Sequence, residues 1–215
     1  MLLVADGAGG ARGGEQASST AVREILAALR RAPADAASLR EAILDGLESA
    51  NRVIAELGIG AATTIALAEL HPGTVRSYHV GDSGLVVSGQ KGKLKLRSIS
   101  HSPVGYALES GFLSEEEALH HSDRHLVSNL LGAPDMHIEL GSMLELGARD
   151  TLLVASDGLF DNVALDEILG VLRGGTLLEA TRALVELASE RMRARGNGQP
   201  SKPDDLTVLV YRREG

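Results

Sequence analysis

Leu2-Leu3-Val4-Ala5 is apolar on both sides and stops abruptly at Asp6, with Gly7, Ala8, Gly9 and Gly10 straight after. A short apolar run bounded by turn residues predicts a strand covered on both faces. A carboxylate at its mouth, followed by glycines that let the backbone approach a ligand closely, predicts a site. The design recurs. Leu152-Leu153-Val154-Ala155-Ser156 ends at Asp157-Gly158, and Ser77-Tyr78-His79-Val80-Gly81 ends at Asp82-Ser83-Gly84. Asp204 opens the last apolar run, residues 206–211.

The remaining elements follow from periodicity. Residues 13–31 predict a helix with Val22, Ile25, Leu26 and Leu29 on one face, ended by Pro33. Residues 39–57 predict a second, striped by Leu39, Ile43, Leu47, Ala50 and Ile54 and stopped by Gly58. Each buries one face, so the pair must cover a sheet. Strands are expected at 60–70, 74–80, 85–88, 93–98, 136–140, 151–155 and 206–211, with 141–150 a connection. A turn is expected at His71-Pro72-Gly73 and a hairpin turn at residues 89–92. Lys93, Lys95 and Arg97 alternate with Leu94 and Leu96, as on a strand with one wet face; a substrate-docking strip is the alternative. Helices are expected at 165–172 and 177–195. Strands outnumber helices and the middle links are hairpin-short. That predicts an α+β chain of mostly antiparallel sheets with helices outside.

Residues 101–131 break the β pattern and predict a helical excursion over a sheet edge. Ser114 and Glu117 have capping-box spacing. His121 and His125, one helical turn apart, could grip a metal, but with no third ligand nearby they read as polar surface.

At 215 residues and 44% hydrophobic, the chain suits one domain and can build a core without disulfides, having no cysteine. A net charge of −8 and 2% aromatics argue against nucleic-acid binding. No apolar run approaches the roughly 20 residues of a membrane span, and no leader with a cleavage site is recognisable. A cytoplasmic protein away from membranes is expected.

Should Asp6, Asp157 and Asp204 converge, their charges must be neutralised. Two carboxylates about 4 Å apart repel by roughly 4 kcal/mol at an effective dielectric of about 20. An all-oxygen donor set selects hard ions, Mg²⁺ or Mn²⁺. A carboxylate bridging two such ions makes a site that activates water and clamps a phosphoryl group. The competing reading is that each Asp merely caps a turn. A nucleotide-binding loop after Asp6 is disfavoured, since neither GxxxxGK[ST] nor GxGxxG occurs.

These motifs, in their order along nearly the whole chain, resemble the metal-dependent Ser/Thr protein phosphatases (PPM, the protein phosphatase 2C type). Val4 to Gly10 with Gly14-Glu15-Gln16-Ala17-Ser18 resembles the family's VxDGxGG…GexAS block. Gly60-Ala61-Ala62-Thr63-Thr64 resembles its G-[ST]-T segment, and Val80-Gly81-Asp82-Ser83 its VGDSR. Ala155 to Asp161 resembles ASDGLWD, and Pro203-Asp204-Asp205-Leu206-Thr207 resembles DN-[IV]-T. The resemblance implies an α-β-β-α sandwich and hydrolysis of phosphoserine or phosphothreonine in proteins at a binuclear Mg²⁺/Mn²⁺ centre. It implies that Asp6 bridges the metals, that the Gly7 carbonyl ligates one, and that Asp157 and Asp204 hold the other. Asp82 would serve a third, looser ion, and residues 106–125 would form the variable flap. The implied partners are phosphorylated proteins and the Ser/Thr kinases that make them, in a bacterial setting.

Three departures stand out. The family's N-terminal strands, with a phosphate-gripping Arg and a further metal acid, are not found, so a single domain over 1–215 is expected to be N-terminally short. Ala8 stands where His is common. Asp205 and Gly84 replace the usual Asn and Arg. Arg12 is either a substitute phosphate contact or a solvent-facing residue at a helix start. A non-catalytic binding module with this fold is therefore the alternative function.

Overall fold

The computed structural model describes residues 1–8, 13–33, 35–194 and 200–213. Two antiparallel sheets pack face to face, with helices on both outer faces. The first sheet comprises β1 (Leu2–Val4), β2 (Ile65–His71), β3 (Thr74–Val80) and β6 (Glu139–Leu140) in that order, and β7 (Leu144–Glu145) also pairs with β3. The second has the order β5 (Leu94–Arg97), β4 (Gly84–Ser88), β8 (Thr151–Ala155), β9 (Val208–Arg212). The helices α1 (Gly14–Arg31) and α2 (Ala36–Glu56) cover the first sheet. The helices α5 (Asp157–Phe160), α6 (Leu165–Leu172) and α7 (Leu177–Arg193) cover the second.

Period-two alternation sorts the strand residues into three apolar layers. On β2, Ile65 and Leu67 meet Ile25, Ile43 and Leu47 of the helices, while Ala66 and Ala68 face the other sheet. On β8, Leu152 and Val154 face inward between the sheets, while Leu153 and Ala155 meet Ile168 and Leu184. The middle strands are buried on both faces, which is why they read as continuous apolar runs. Among the described residues no helix is long and apolar enough to cross a membrane.

Several boundaries differ from expectation, most of them where a side chain takes over backbone bonding. The run 60–70 pairs as a strand only from Ile65, because Thr63 and Thr64 turn aside to bond Asp6. In the run 136–140 only Glu139–Leu140 pairs, since the Asn129 side chain accepts the His137 N–H and donates to its carbonyl. The connection 141–150 contains β7. The last strand begins at Val208, because Thr207 gives its N–H to the Ser156 hydroxyl. Residues 195–199, the end of the expected last helix and most of the loop after it, lie outside the described residues.

The excursion carries α3 (Pro103–Glu109) and α4 (Glu115–Leu119), and the capping box between Ser114 and Glu117 is formed. The cations of β5 lie on an exposed face, as their alternation predicts, and both are paired there. Lys95 donates to the buried Asp150 at 2.6 Å, and Arg97 pairs with Glu115 of α4.

Candidate active site

Asp6 sits where β1 ends, and its backbone is pinned from three sides. The Thr64 N–H and the Thr63 hydroxyl donate to its carbonyl at 2.8 and 2.7 Å, and the Ala8 N–H donates to the Ala62 carbonyl at 3.0 Å. Thr64 in turn shares a 2.7 Å hydroxyl hydrogen bond with Ser83, beside Asp82. Gly7 must be glycine, since a Cβ there would lie 2.4 Å from the backbone of Gly14. Among the described residues no donor is paired with the Gly7 carbonyl.

Asp157 closes β8 and begins α5. The Asp204-Asp205 segment is drawn against it by Ser156, whose hydroxyl donates to the Asp205 carbonyl at 3.2 Å while accepting the Thr207 N–H at 3.0 Å. Gly158 permits this approach, because a Cβ there would stand 2.2 Å from the Asp205 carbonyl oxygen.

Asp6, Asp157, Asp204 and Asp82 therefore form one acidic cluster, in which Asp157 acts on both Asp6 and Asp82 and Asp204 acts on Asp6. The Asp6 and Asp157 carboxyls stand close enough to share a proton. Burial, then the charge of Asp157, with Asp204 and Asp205 adding to it, pushes Asp6 up to about 7. Burial, then Asp157 and Asp161, pushes Asp82 up to about 8 against the pull of Lys202. Asp161 rises to about 6, chiefly through burial, with Lys202 opposing. Such crowding of oxygen donors, with Asp6, Asp82 and Asp161 all raised chiefly by burial, fits hard divalent cations.

Sequence reasoning missed two members of this cluster. Asp161 lies four residues after Asp157 on a helical turn, and that spacing was its signal. Lys202 bridges three carboxylates, with Nζ 2.5 Å from Asp157, 2.6 Å from Asp161 and 3.2 Å from Asp204. It closes the stretch 196–202, whose Gly, Asn, Pro and Ser residues read only as a loop. Arg12 lies outside the described residues.

A cleft of about 570 Å³ opens from the Asp82, Asp157 and Asp161 side of the cluster. The helices α3 and α4 form one wall and α6 the other, with Arg97, Arg124 and Arg191 among the lining.

The histidines fall elsewhere. The Nδ1 of His121 accepts the Asp123 N–H, and His125 is exposed and bonded to the Ser122 carbonyl, so the pair reads as surface. The structure instead brings His79, His101 and Glu139 within metal-ligating range of one another. Yet His101 Nδ1 accepts from both Gly81 N–H and Asn129 Nδ2, at 3.2 and 2.8 Å, which leaves the ring proton on Nε2, facing Glu139. A protonated nitrogen is no ligand, so His101 is a core histidine in this arrangement.

Comparison with known proteins points to one family and one fold. The family model described as Protein phosphatase 2C matches residues 1–196. A putative protein phosphatase 2C-type protein of Streptococcus pyogenes serotype M6 is 30% identical over 202 residues, covering 89% of this chain and 80% of the relative. The solved serine/threonine phosphatase of S. agalactiae superposes with a TM-score of 0.81 at 30% identity, over 98% of this chain and 86% of that one. The catalytic domain of the serine threonine protein phosphatase PstP, solved in complex with two manganese ions, superposes with a TM-score of 0.75 at 27% identity, over 97% and 85%.

Proposed function

The chain belongs to the protein phosphatase 2C family, and from that premise we propose that it removes phosphate from phosphoserine and phosphothreonine in proteins. Carrying the reading is the gathering of Asp6, Asp157 and Asp204 in one acidic cluster, where Asp6 is pushed up to about 7 by burial and its acidic neighbours. Asp6, Asp157, Asp204 and the Gly7 carbonyl would hold two Mg²⁺ or Mn²⁺ ions, and Asp82 with Asp161 would serve a third. Such ions, when bound, lower the pKa of a coordinated water and brace phosphoryl oxygens.

The chain's own residues supply the rest. Thr63, Thr64 and Ser156 hold the acidic backbone segments in register, so the carboxylates need little rearrangement. The cleft beside Asp82 is wide enough for a peptide side chain. Residues 106–125, as a flap over that cleft, would select among phosphoproteins. The substrates are by their chemistry the products of Ser/Thr kinases.

The test is hydrolysis of p-nitrophenyl phosphate and then of a phosphothreonine peptide, with Mn²⁺ and with chelator. Asp157→Ala is expected to lower turnover at least about 10²-fold, as loss of a group that organises the reacting atoms does. Equal activity in the variant would place the chemistry elsewhere. Phosphopeptide binding without turnover in the wild type would favour a binding module.

A further inference from the structure

Lys202 is placed too deliberately to be a passing surface contact. The buried Asn162 clamps its backbone, accepting the Lys202 N–H at 2.8 Å and donating to its carbonyl at 2.9 Å. The preceding carbonyl, of Ser201, accepts from Arg124 at 3.2 Å. From this fixed base the side chain enters the acidic cluster, where its ammonium donates to Asp157 and Asp161 and stands 3.2 Å from Asp204. An ammonium is a compact point charge with three donors and no acceptor. It therefore answers the same need for positive charge that a divalent ion answers.

We infer that Lys202 is an internal cation competing with divalent ions for Asp157 and Asp204, so that metal loading requires its ammonium to leave them. This rests on the reading of the cluster as a metal site. The two cations are mutually exclusive for a simple reason. Asp157 Oδ2 already lies at hydrogen-bond distance from Nζ, and an ion ligated by the same oxygen would stand against a like charge at contact range. Removing the ammonium should thus favour metal, whereas replacing it with another cation should not.

Two measurements test this. The first uses the wild-type chain: acetylation of lysines by an amine-reactive reagent, followed by mass spectrometry, in chelator and in saturating Mn²⁺. Lys202 is expected to react slowly in chelator and several-fold faster with Mn²⁺, while the exposed Lys91 and Lys93 stay constant as references. Unchanged or slower labelling of Lys202 would overturn the inference. The second is calorimetric titration of Mn²⁺ into wild type, Lys202→Met, Lys202→Arg and Asp157→Ala. Lys202→Met should bind at least about tenfold tighter, the modest end of what one close like charge is worth, and Lys202→Arg should not. If Asp157→Ala loses Mn²⁺ while Lys202→Met binds as wild type does, the metal site stands and the competition falls. If no protein binds Mn²⁺, both fall together. Should Lys202→Met fail to fold, the labelling experiment decides alone.

Discussion

Asp6→Asn, studied without metal, isolates the electrostatic load in the acidic pocket. Asp6 rises from its ordinary 3.8 to about 7, first through burial and then through Asp157. A carboxyl raised in the folded state binds more protons there than in the unfolded chain. Its burden is therefore absent below about pH 4, grows as pH climbs towards 7, and is complete above. Three units correspond to about 4 kcal/mol as a ceiling. Water reaching this half-buried group screens much of it, so about 1–2 kcal/mol is the working figure. Asparagine keeps the shape, cannot ionise, and offers an N–H to Asp157. In chelator at pH 8 the variant should be more stable than wild type by that amount, about 3–6 °C in Tm for a chain of this size. At pH 4.5 the two should nearly coincide, and with Mn²⁺ only the wild type should gain strongly. Urea titrations followed by circular dichroism across pH 4.5–8 give the result. A variant no more stable than wild type at pH 8 in chelator would refute the claim that Asp6 is strained by its neighbours.

Other perturbations probe the scaffold. Gly158→Ala puts a Cβ 2.2 Å from the Asp205 carbonyl oxygen. It should cost about 1–3 kcal/mol in urea unfolding and weaken Mn²⁺ binding by displacing Asp204; a loss of stability with unchanged metal affinity would uncouple the two. Tyr78→Phe removes the hydroxyl that donates to buried Glu69 at 2.5 Å, leaving that carboxylate to His71. A loss of about 1–3 kcal/mol is expected, read by the same unfolding assay. Leu153→Ala empties a fully buried position between β8 and α6–α7 and should cost about 2–5 kcal/mol without altering Mn²⁺ affinity.

Most of the architecture was legible because burial dictates pattern. The strands β3 and β8 and helix α6 fall where their apolar residues require, and β2 could be recognised by its run of small and branched side chains. What periodicity could not reveal was side-chain capture of backbone groups. Asn129 replaces a strand partner for His137, and Ser156 and Thr63 bond segments that would otherwise extend β9 and β2. Short polar residues compete with ladders in this way, and nothing in a linear pattern announces which will win. The acids Asp6, Asp82, Asp157 and Asp204 were legible as strand-end residues beside glycine or a strand. Lys202 was not, because its meaning depends on Asn162, 40 residues earlier, holding its backbone in place. The His121 and His125 pair reads as polar surface in the sequence and lies there in the fold, while His79 and His101 meet only through the fold, with ring centroids 4.4 Å apart.

The pocket and the sandwich belong to one design problem. Asp6 ends a strand of the first sheet and Asp157 a strand of the second, and the two strands pack across the interlayer through Val4, Leu152 and Val154. Both acids follow the C-terminal ends of these facing strands, and the two ends meet at one edge of the sandwich, so carboxylates 151 positions apart in sequence become neighbours. Repulsion between them is tolerable because the layers are stabilised elsewhere, by three apolar clusters that contain none of these acids. Frustration of this kind, confined to one edge of an otherwise consistent fold, is what a binding site for cations requires. A pocket already neutral would have little to gain from an ion, whereas one balanced only in part by a tethered ammonium can hold its shape and still exchange that charge for a stronger one.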